Sequence, residues 1–145
     1  MTMSVPPRYA LCAFALVALS ACDPRFVHES DLNAHQVSLL AGTWSGKATM
    51  TFSNRKDCPR TYLWRMTVAD GTVNGEVVNA DYPDATPSTY SSFVEYDGTM
   101  HADLRTRGAD LYVLGAFDHD GFNGTARTKD CNYIVTLRQE GGGGK

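Results

Sequence analysis

The sequence predicts an all-β fold: an eight-stranded up-and-down antiparallel barrel with a short N-terminal helix. Three observations carry this reading. The stretch from Gly42 to Phe52 alternates strictly, with Trp44, Gly46, Ala48, Met50 and Phe52 on one face and Thr43, Ser45, Lys47, Thr49 and Thr51 on the other. A period of two marks a strand with one buried and one wet face. The same pattern returns in run after run until residue 138. The pairs Asp70-Gly71, Asp97-Gly98 and Asp120-Gly121 separate several of these runs, and such dipeptides tolerate the positive φ of tight hairpins.

Bulk properties narrow the class. The 145 residues suffice for one domain with a real core. Hydrophobic residues at 43% and charged ones at 20% are ordinary for a globular chain. A net charge of -3 gives no footing for a nucleic-acid partner.

Taken in order, the chain opens on a targeting segment. Arg8 supplies a positive end, and Tyr9 to Leu19 is an apolar run of 11 residues, too short to cross a bilayer as a helix. The run ends in Leu19-Ser20-Ala21-Cys22. These four residues resemble the bacterial lipobox, which implies cleavage before Cys22 and acylation of its sulfur, as by palmitate. Acyl chains contribute about 0.8 kcal/mol per buried CH₂, so several of them anchor a protein stably. Asp23 resembles an inner-membrane retention signal of enterobacterial lipoproteins, a rule that varies between bacteria and leaves inner and outer membrane open. The expected division is a lipoprotein signal peptide at 1–21, a tether at 22–30, the barrel at 31–140 and a flexible glycine tail at 141–145.

Ser30 reads as the N-cap of a short helix with Asp31 in its first turn. Leu32, Val37, Leu39 and Leu40 give it a weak apolar face, Gly42 ends it, and it should cover one end of the core. The strands follow at 42–52, 61–68, 72–79, 89–96, 99–105, 110–117, 121–128 and 131–138. Their expected inward residues include Tyr62, Trp64, Met66, Val68, Val73, Met100, Leu104, Leu111, Val113, Phe122, Tyr133, Val135 and Leu137. The fourth strand has two possible parities, with Tyr90, Val94 and Tyr96 set against Phe93.

In a meander the three Asp-Gly turns share one tight end. The loops at 53–60, 80–88, 106–109 and 129–130 then share a loose end. Closure needs the eighth strand to pair with the first, since a closed sheet has no exposed edges. That pairing brings Cys58 and Cys131 to the loose end, one strand apart. An exported chain meets an oxidising compartment, so a Cys58–Cys131 disulfide is expected. Two free thiols, or a link to another chain, are the alternatives. Closing so long a loop stabilises by about 4 kcal/mol in the chain-entropy view.

Leu40-Ala41-Gly42-Thr43-Trp44, placed after a short helix and ahead of eight strands, resembles the calycin group: lipocalins, fatty-acid-binding proteins and their bacterial lipoprotein relatives. The resemblance implies that Trp44 packs at the closed end beneath a basic residue of the last strand, here Arg138. Such a cation–indole pair is worth about 0.5–2 kcal/mol, although parity sends Arg138 outward if Leu137 points in. Exported bacterial protease and lysozyme inhibitors also use small barrels of this kind, often on a lipid anchor.

Candidate chemistry lies at the loose end. Arg55, Lys56, Arg60, Arg105, Arg107, Arg127 and Lys129 gather there, opposite Asp70, Asp97, Asp118 and Asp120 at the tight end. This split can steer an anionic ligand or partner to the mouth; solubility charge, partly neutralised by Asp57, Asp81, Asp84 and Asp130, is the plain alternative. The loop Asp81-Tyr82-Pro83-Asp84-Ala85-Thr86-Pro87 is stiffened by two prolines and presents Tyr82 as a contact residue, either a finger for a partner or a passive connection. Asp118 to Asn123 superficially resembles a calcium loop but lacks the downstream glutamate. Neither cysteine has a second one at zinc spacing. No metal, cofactor or catalytic group is expected, and the serines lack a nucleophile-elbow context. The small inward residues Gly46, Ala48, Gly75, Ala102, Gly115, Gly124 and Ala126 leave room either for an apolar ligand or for the rings of Trp44, Phe52, Tyr62, Trp64 and Phe117. The expectation is a non-enzymatic protein of the bacterial envelope, lipid-anchored to a membrane and facing the periplasm, that binds or inhibits an unknown envelope protein through its loop end. A carrier of a small apolar or anionic ligand, and a structural subunit of an envelope complex, are the alternatives.

Overall fold

The computed structural model describes residues 34–106, 109–118 and 121–141. The expected signal peptide, Cys22, the tether, the Ser30 cap, Leu32, Arg107, Asp120 and most of the glycine tail lie outside the described residues. One short helix, α1 (Ala34–Leu39), precedes eight strands: β1 (Gly42–Ser53), β2 (Thr61–Ala69), β3 (Thr72–Asn79), β4 (Ser88–Phe93), β5 (Thr99–Thr106), β6 (Ala109–Phe117), β7 (Phe122–Arg127) and β8 (Cys131–Gln139). They form one antiparallel sheet in the order β4-β3-β2-β1-β8-β7-β6-β5, curled into a nearly closed barrel.

The first and last strands meet at the centre of that order. β1 pairs with β2 on one side and with β8 on the other, from Trp44 opposite Gln139 to Ser53 opposite Cys131. The alternation read from sequence becomes a one-sided core. Tyr62, Trp64, Met66 and Val68 of β2 are buried, as are Tyr133, Val135 and Leu137 of β8, while their neighbours face water. Each large side chain so buried contributes roughly 1.5–3 kcal/mol. Cys58 and Cys131 are bonded at the loose end, with Cα atoms 6.2 Å apart across a separation of 73 residues. At the tight end Asp70 (φ 49°) and Gly71 (φ 76°) both take positive φ, as a type I′ hairpin turn requires.

Small inward residues are matched by aromatic rings. Gly75 sits opposite Tyr90, and a Cβ there would overlap the tyrosine ring. The Trp64 indole N–H donates to the Tyr90 hydroxyl at 2.8 Å. A Cβ at Gly115 would likewise overlap Phe122, which packs on Phe117 with ring centroids 5.0 Å apart.

Four sequence expectations need correction. Phe52 is 54% exposed. The β1–β8 register shifts between Met50 and Phe52, and such a bulge inserts one residue and reverses parity beyond it. The fourth strand ends at Phe93: Tyr90 takes the inward position, Val94 is half-buried against the core, and Phe93 and Tyr96 are exposed. Leu39 of α1 also faces solvent, so Leu40 alone of that pair packs on the core. Arg138 does not reach Trp44. It stands opposite Ser45 on the outer face, because Leu137 takes the inward position. Trp44 instead meets Phe117 edge to face at 5.1 Å and donates its indole N–H to the Leu40 carbonyl at 2.9 Å.

Burial pushes the Tyr90 hydroxyl up to about 12, although the Trp64 hydrogen bond acts the other way. Burial also raises Tyr62 and Tyr133. In the unfolded chain a tyrosine ionises near 10, so the folded state holds its protons longer. The stability tied to these hydroxyls is complete below pH 10 and lost as pH climbs through the folded values. The midpoint of chemical denaturation is therefore expected to fall between pH 10 and 12. Tyrosinate absorbance of the buried rings should rise together with unfolding; its appearance in a fully folded chain at pH 10 would contradict this account.

Candidate functional site

The two ends of the barrel differ in construction. At the tight end α1 lies against the 70–71 turn, where Val37 comes within contact distance of the position a Cβ on Gly71 would take. The Asp118 carboxylate accepts from the Gly121 amide at 2.8 Å and from the Asn123 side chain at 2.9 Å. This binds the turn internally. Among the described residues no group of three or more His, Cys, Asp or Glu is placed to hold a metal.

The loose end carries the expected cations, and they fall into two sets. Arg55 lays its guanidinium along the Asp57 carboxylate in a two-bond fork at 2.9 and 2.8 Å, with Asp130 at 3.8 Å. Arg105 faces Asp110 at 3.3 Å, and Arg127 lies over the Tyr112 ring at 5.6 Å. These three are committed locally, though exposed ion pairs of this kind stabilise by only about 0–1 kcal/mol. Lys56, Arg60 and Lys129 are exposed and make no ion pair among the described residues. Among the described residues of the mouth, these three cations around the disulfide are the ones without an ion pair.

The loop at 80–87 is an ordered finger. The Tyr82 amide donates to the Asn79 carbonyl at 2.9 Å, and the Ala85 amide donates to the Tyr82 carbonyl at 3.0 Å. The Asn79 side chain receives the Asp81 amide at 3.0 Å. Tyr82 itself stands 68% exposed, presented by a backbone whose turns are already bonded.

Two features escaped the sequence reading. On the outer wall beside the loose end, Phe52, Asn132, Arg127 and Tyr112 occupy successive register positions across β1, β8, β7 and β6. The signal for this row was hidden, because alternation alone placed Phe52 inside. The second feature lies under the disulfide. Tyr62 and Tyr133 pack edge to face at 5.3 Å, and the buried Tyr133 hydroxyl, which lies beside that of Tyr62, makes no hydrogen bond of standard geometry. Period-two patterning placed this ring inward but says nothing of its oxygen.

A shallow depression of about 580 Å³ lies on the outer face of β2, β3 and β4, lined by Arg65, Asn74, Glu76, Thr89 and Ser91. A second, of about 440 Å³, sits between β4 and β5 and shares Ser91. Both are outer-wall features, whereas the barrel interior is occupied by Trp64, Tyr133, Phe122, Met66, Met100, Leu111 and Leu137. No family profile matches this chain, and neither does any curated protein or solved structure at a significant level.

The Tyr133 hydroxyl makes its own test. A buried hydroxyl without a partner carries a desolvation cost of about 1–3 kcal/mol. Tyr133→Phe is therefore expected to be neutral or stabilising in thermal and denaturant unfolding. A loss beyond about 1 kcal/mol would reveal a bonded partner such as an internal water.

Proposed function

We propose that this chain is a lipid-anchored bacterial envelope protein, tethered through Cys22 and facing the periplasm. It acts without catalysis, as a binding or inhibitory module that offers its loose end to an envelope partner. The observation that carries this reading is the convergence at one rim of Lys56, Arg60 and Lys129, free of ion pairs, with the preformed Tyr82 finger. Free cations around a rigid aromatic suit an anionic protein surface: the charge steers approach, and the aromatic supplies contact area at low entropic cost. The chain enters the barrel at the opposite, tight end through α1 and the start of β1. A tether at 22–30 would thus hold the tight end toward the membrane and the rim away from it. The Gly42-Thr43-Trp44 start and the eight-stranded antiparallel barrel fit a calycin-like lipoprotein of this type.

One observation favours a carrier as the second reading. The buried Tyr133 hydroxyl makes no hydrogen bond of standard geometry, and a ligand with a polar head that displaced core side chains would satisfy it.

The test is recovery of partners from membranes with the acylated full chain, set against a variant carrying Lys56→Gln, Arg60→Gln and Lys129→Gln. The variant is expected to lose the recovered species, and raising salt should weaken recovery by the unaltered chain, as screening demands. Identical recovery from both proteins would remove the rim from the account. In the same cells Cys22→Ala should move the protein from the membrane fraction to the soluble one; retention in the membrane would remove the anchor.

A further inference from the structure

We infer that the tight end of the barrel is a membrane-contact surface, whose exposed side chains Leu39, Phe93 and Tyr96 enter the interface of a bilayer carrying zwitterionic amine headgroups. The inference rests on the reading of Cys22 as a lipid anchor, and adds a second point of attachment made by the folded domain itself.

Among the described residues, four large apolar side chains stand out of the surface further than the others: Tyr96 at 79%, Tyr82 at 68%, Leu39 at 63% and Phe93 at 61% exposed. Tyr82 belongs to the loose end. The other three gather around the 70–71 turn. Val37, two residues before Leu39 on α1, comes within contact distance of the Cβ position of Gly71. Phe93 stands opposite Thr72, the first residue of β3. The next amide, that of Val94, donates to the Gly71 carbonyl at 2.8 Å. Tyr96 follows in the connection from β4 to β5. There the Gly98 amide donates to the Glu95 carbonyl at 3.0 Å, and the Gly98 carbonyl accepts from the Phe117 amide at 3.0 Å. The connection is thus tied to β6, and it holds Tyr96 out in the solvent. Exposed apolar side chains grouped within a polar surround mark an interaction site.

The path of the chain says what covers this end. α1 leads into β1 here, and about a dozen residues separate Cys22 from Ala34. Fully extended, they reach about 40 Å. A domain on so short a leash meets the bilayer at high effective concentration, where a weak contact becomes populated. A protein partner at this end would have to fit between the domain and its own anchor. The chemistry agrees with a lipid surface. A tyrosine joins an apolar ring to a polar tip, and such rings collect at headgroup level. Leucine and phenylalanine supply apolar area that reaches the acyl boundary.

The acidic groups select the headgroup. Asp70 and Asp97 are exposed and border the patch. The Asp97 carboxylate accepts from the Thr99 hydroxyl at 2.6 Å and from the Thr99 amide at 3.0 Å. These bonds hold its carboxyl below the usual carboxylate range. Ionised carboxylates at headgroup level suit the ammonium of phosphatidylethanolamine, whereas the negative potential of an anionic lipid surface repels them.

The test uses the acylated full chain carrying Tyr96→Trp, in vesicles of phosphatidylethanolamine and phosphatidylcholine with and without bromine on the acyl chains. Emission of the new indole is expected to shift to the blue and to be quenched by the brominated lipid, beyond any quenching of the unsubstituted chain, whose Trp44 and Trp64 are buried. An indole introduced by Tyr82→Trp at the opposite end should keep its emission. Adding Leu39→Ser and Phe93→Ser to Tyr96→Trp should remove most of the quenching while thermal unfolding stays cooperative, because both side chains lie outside the core. Vesicles with phosphatidylglycerol in place of phosphatidylethanolamine should quench less, and equal quenching would remove the headgroup selection. Flotation of the same vesicles separates the two failures. A chain that floats with the indole at position 96 as little quenched as that at position 82 keeps the anchor and overturns the inserted end. A chain that does not float overturns both. Quenching undiminished by the two serines would overturn the patch as the contact.

Discussion

The barrel depends on the ladder between β1 and β8. It joins the ends of the domain, sits midway in the sheet, and holds together two meanders of four strands each. Every other attachment gathers on it. The disulfide ties the β1–β2 loop to the first residue of β8 at the loose end. At the other end the Gln139 side chain donates to the Ala41 carbonyl at 2.9 Å, and Trp44 donates to Leu40, so α1 is pinned by one residue from each strand of the pair. Gly46 allows the closest approach, since a Cβ there would overlap the Thr136 carbonyl. A side chain at this position would have to push the two strands apart.

Because that ladder and the β4–β5 junction lie on opposite sides of the wall, the longest strand pairing and the sparsest are separated in space. The strands carrying the staple, the bulge and the helix contacts cannot move without breaking the core. β4 and β5 meet without a ladder, through the Val94–Met100 bridge, the Glu95 amide on the Thr99 carbonyl and the Ser92 hydroxyl on the His101 carbonyl. The same division appears in the charges. Arg55, Arg105 and Arg127 are absorbed by carboxylates or a ring, which leaves Lys56, Arg60 and Lys129 to face outward.

The architecture was legible because period-two alternation and Asp-Gly turns are local signals. Strand positions, the inward residues of β2 and β8, and the disulfide all followed from them together with the need to close the sheet. What escaped was set by tertiary contact. The bulge after Met50 depends on how β1 meets a strand some eighty residues later, so the outward turn of Phe52 could not be read from its neighbours. The end of β4 depends on Gly75 receiving the Tyr90 ring, a cross-strand match that decides between Tyr90 and Phe93. Asp97-Gly98 did form a turn, with the Gly98 amide bonded to the Glu95 carbonyl at 3.0 Å, yet a turn does not oblige the strands beside it to zip. Of the site, sequence located the cations but not their partners: pairing of Arg55 with Asp57 is a matter of rotamer and reach, and the orphaned Tyr133 oxygen leaves no mark in a hydropathy pattern.

The joining of first strand to last has a consequence for how the chain reaches its native state. The hairpins within each half rest on local contacts and can form early, but each half-sheet alone leaves one apolar face uncovered. The core is completed only when residues 131–139 find residues 42–53, a contact of high sequence separation whose loop-closure entropy must be met before burial rewards it. Until then the nascent domain is a pair of sticky sheets, and loss of the final nine-residue strand would leave it so permanently.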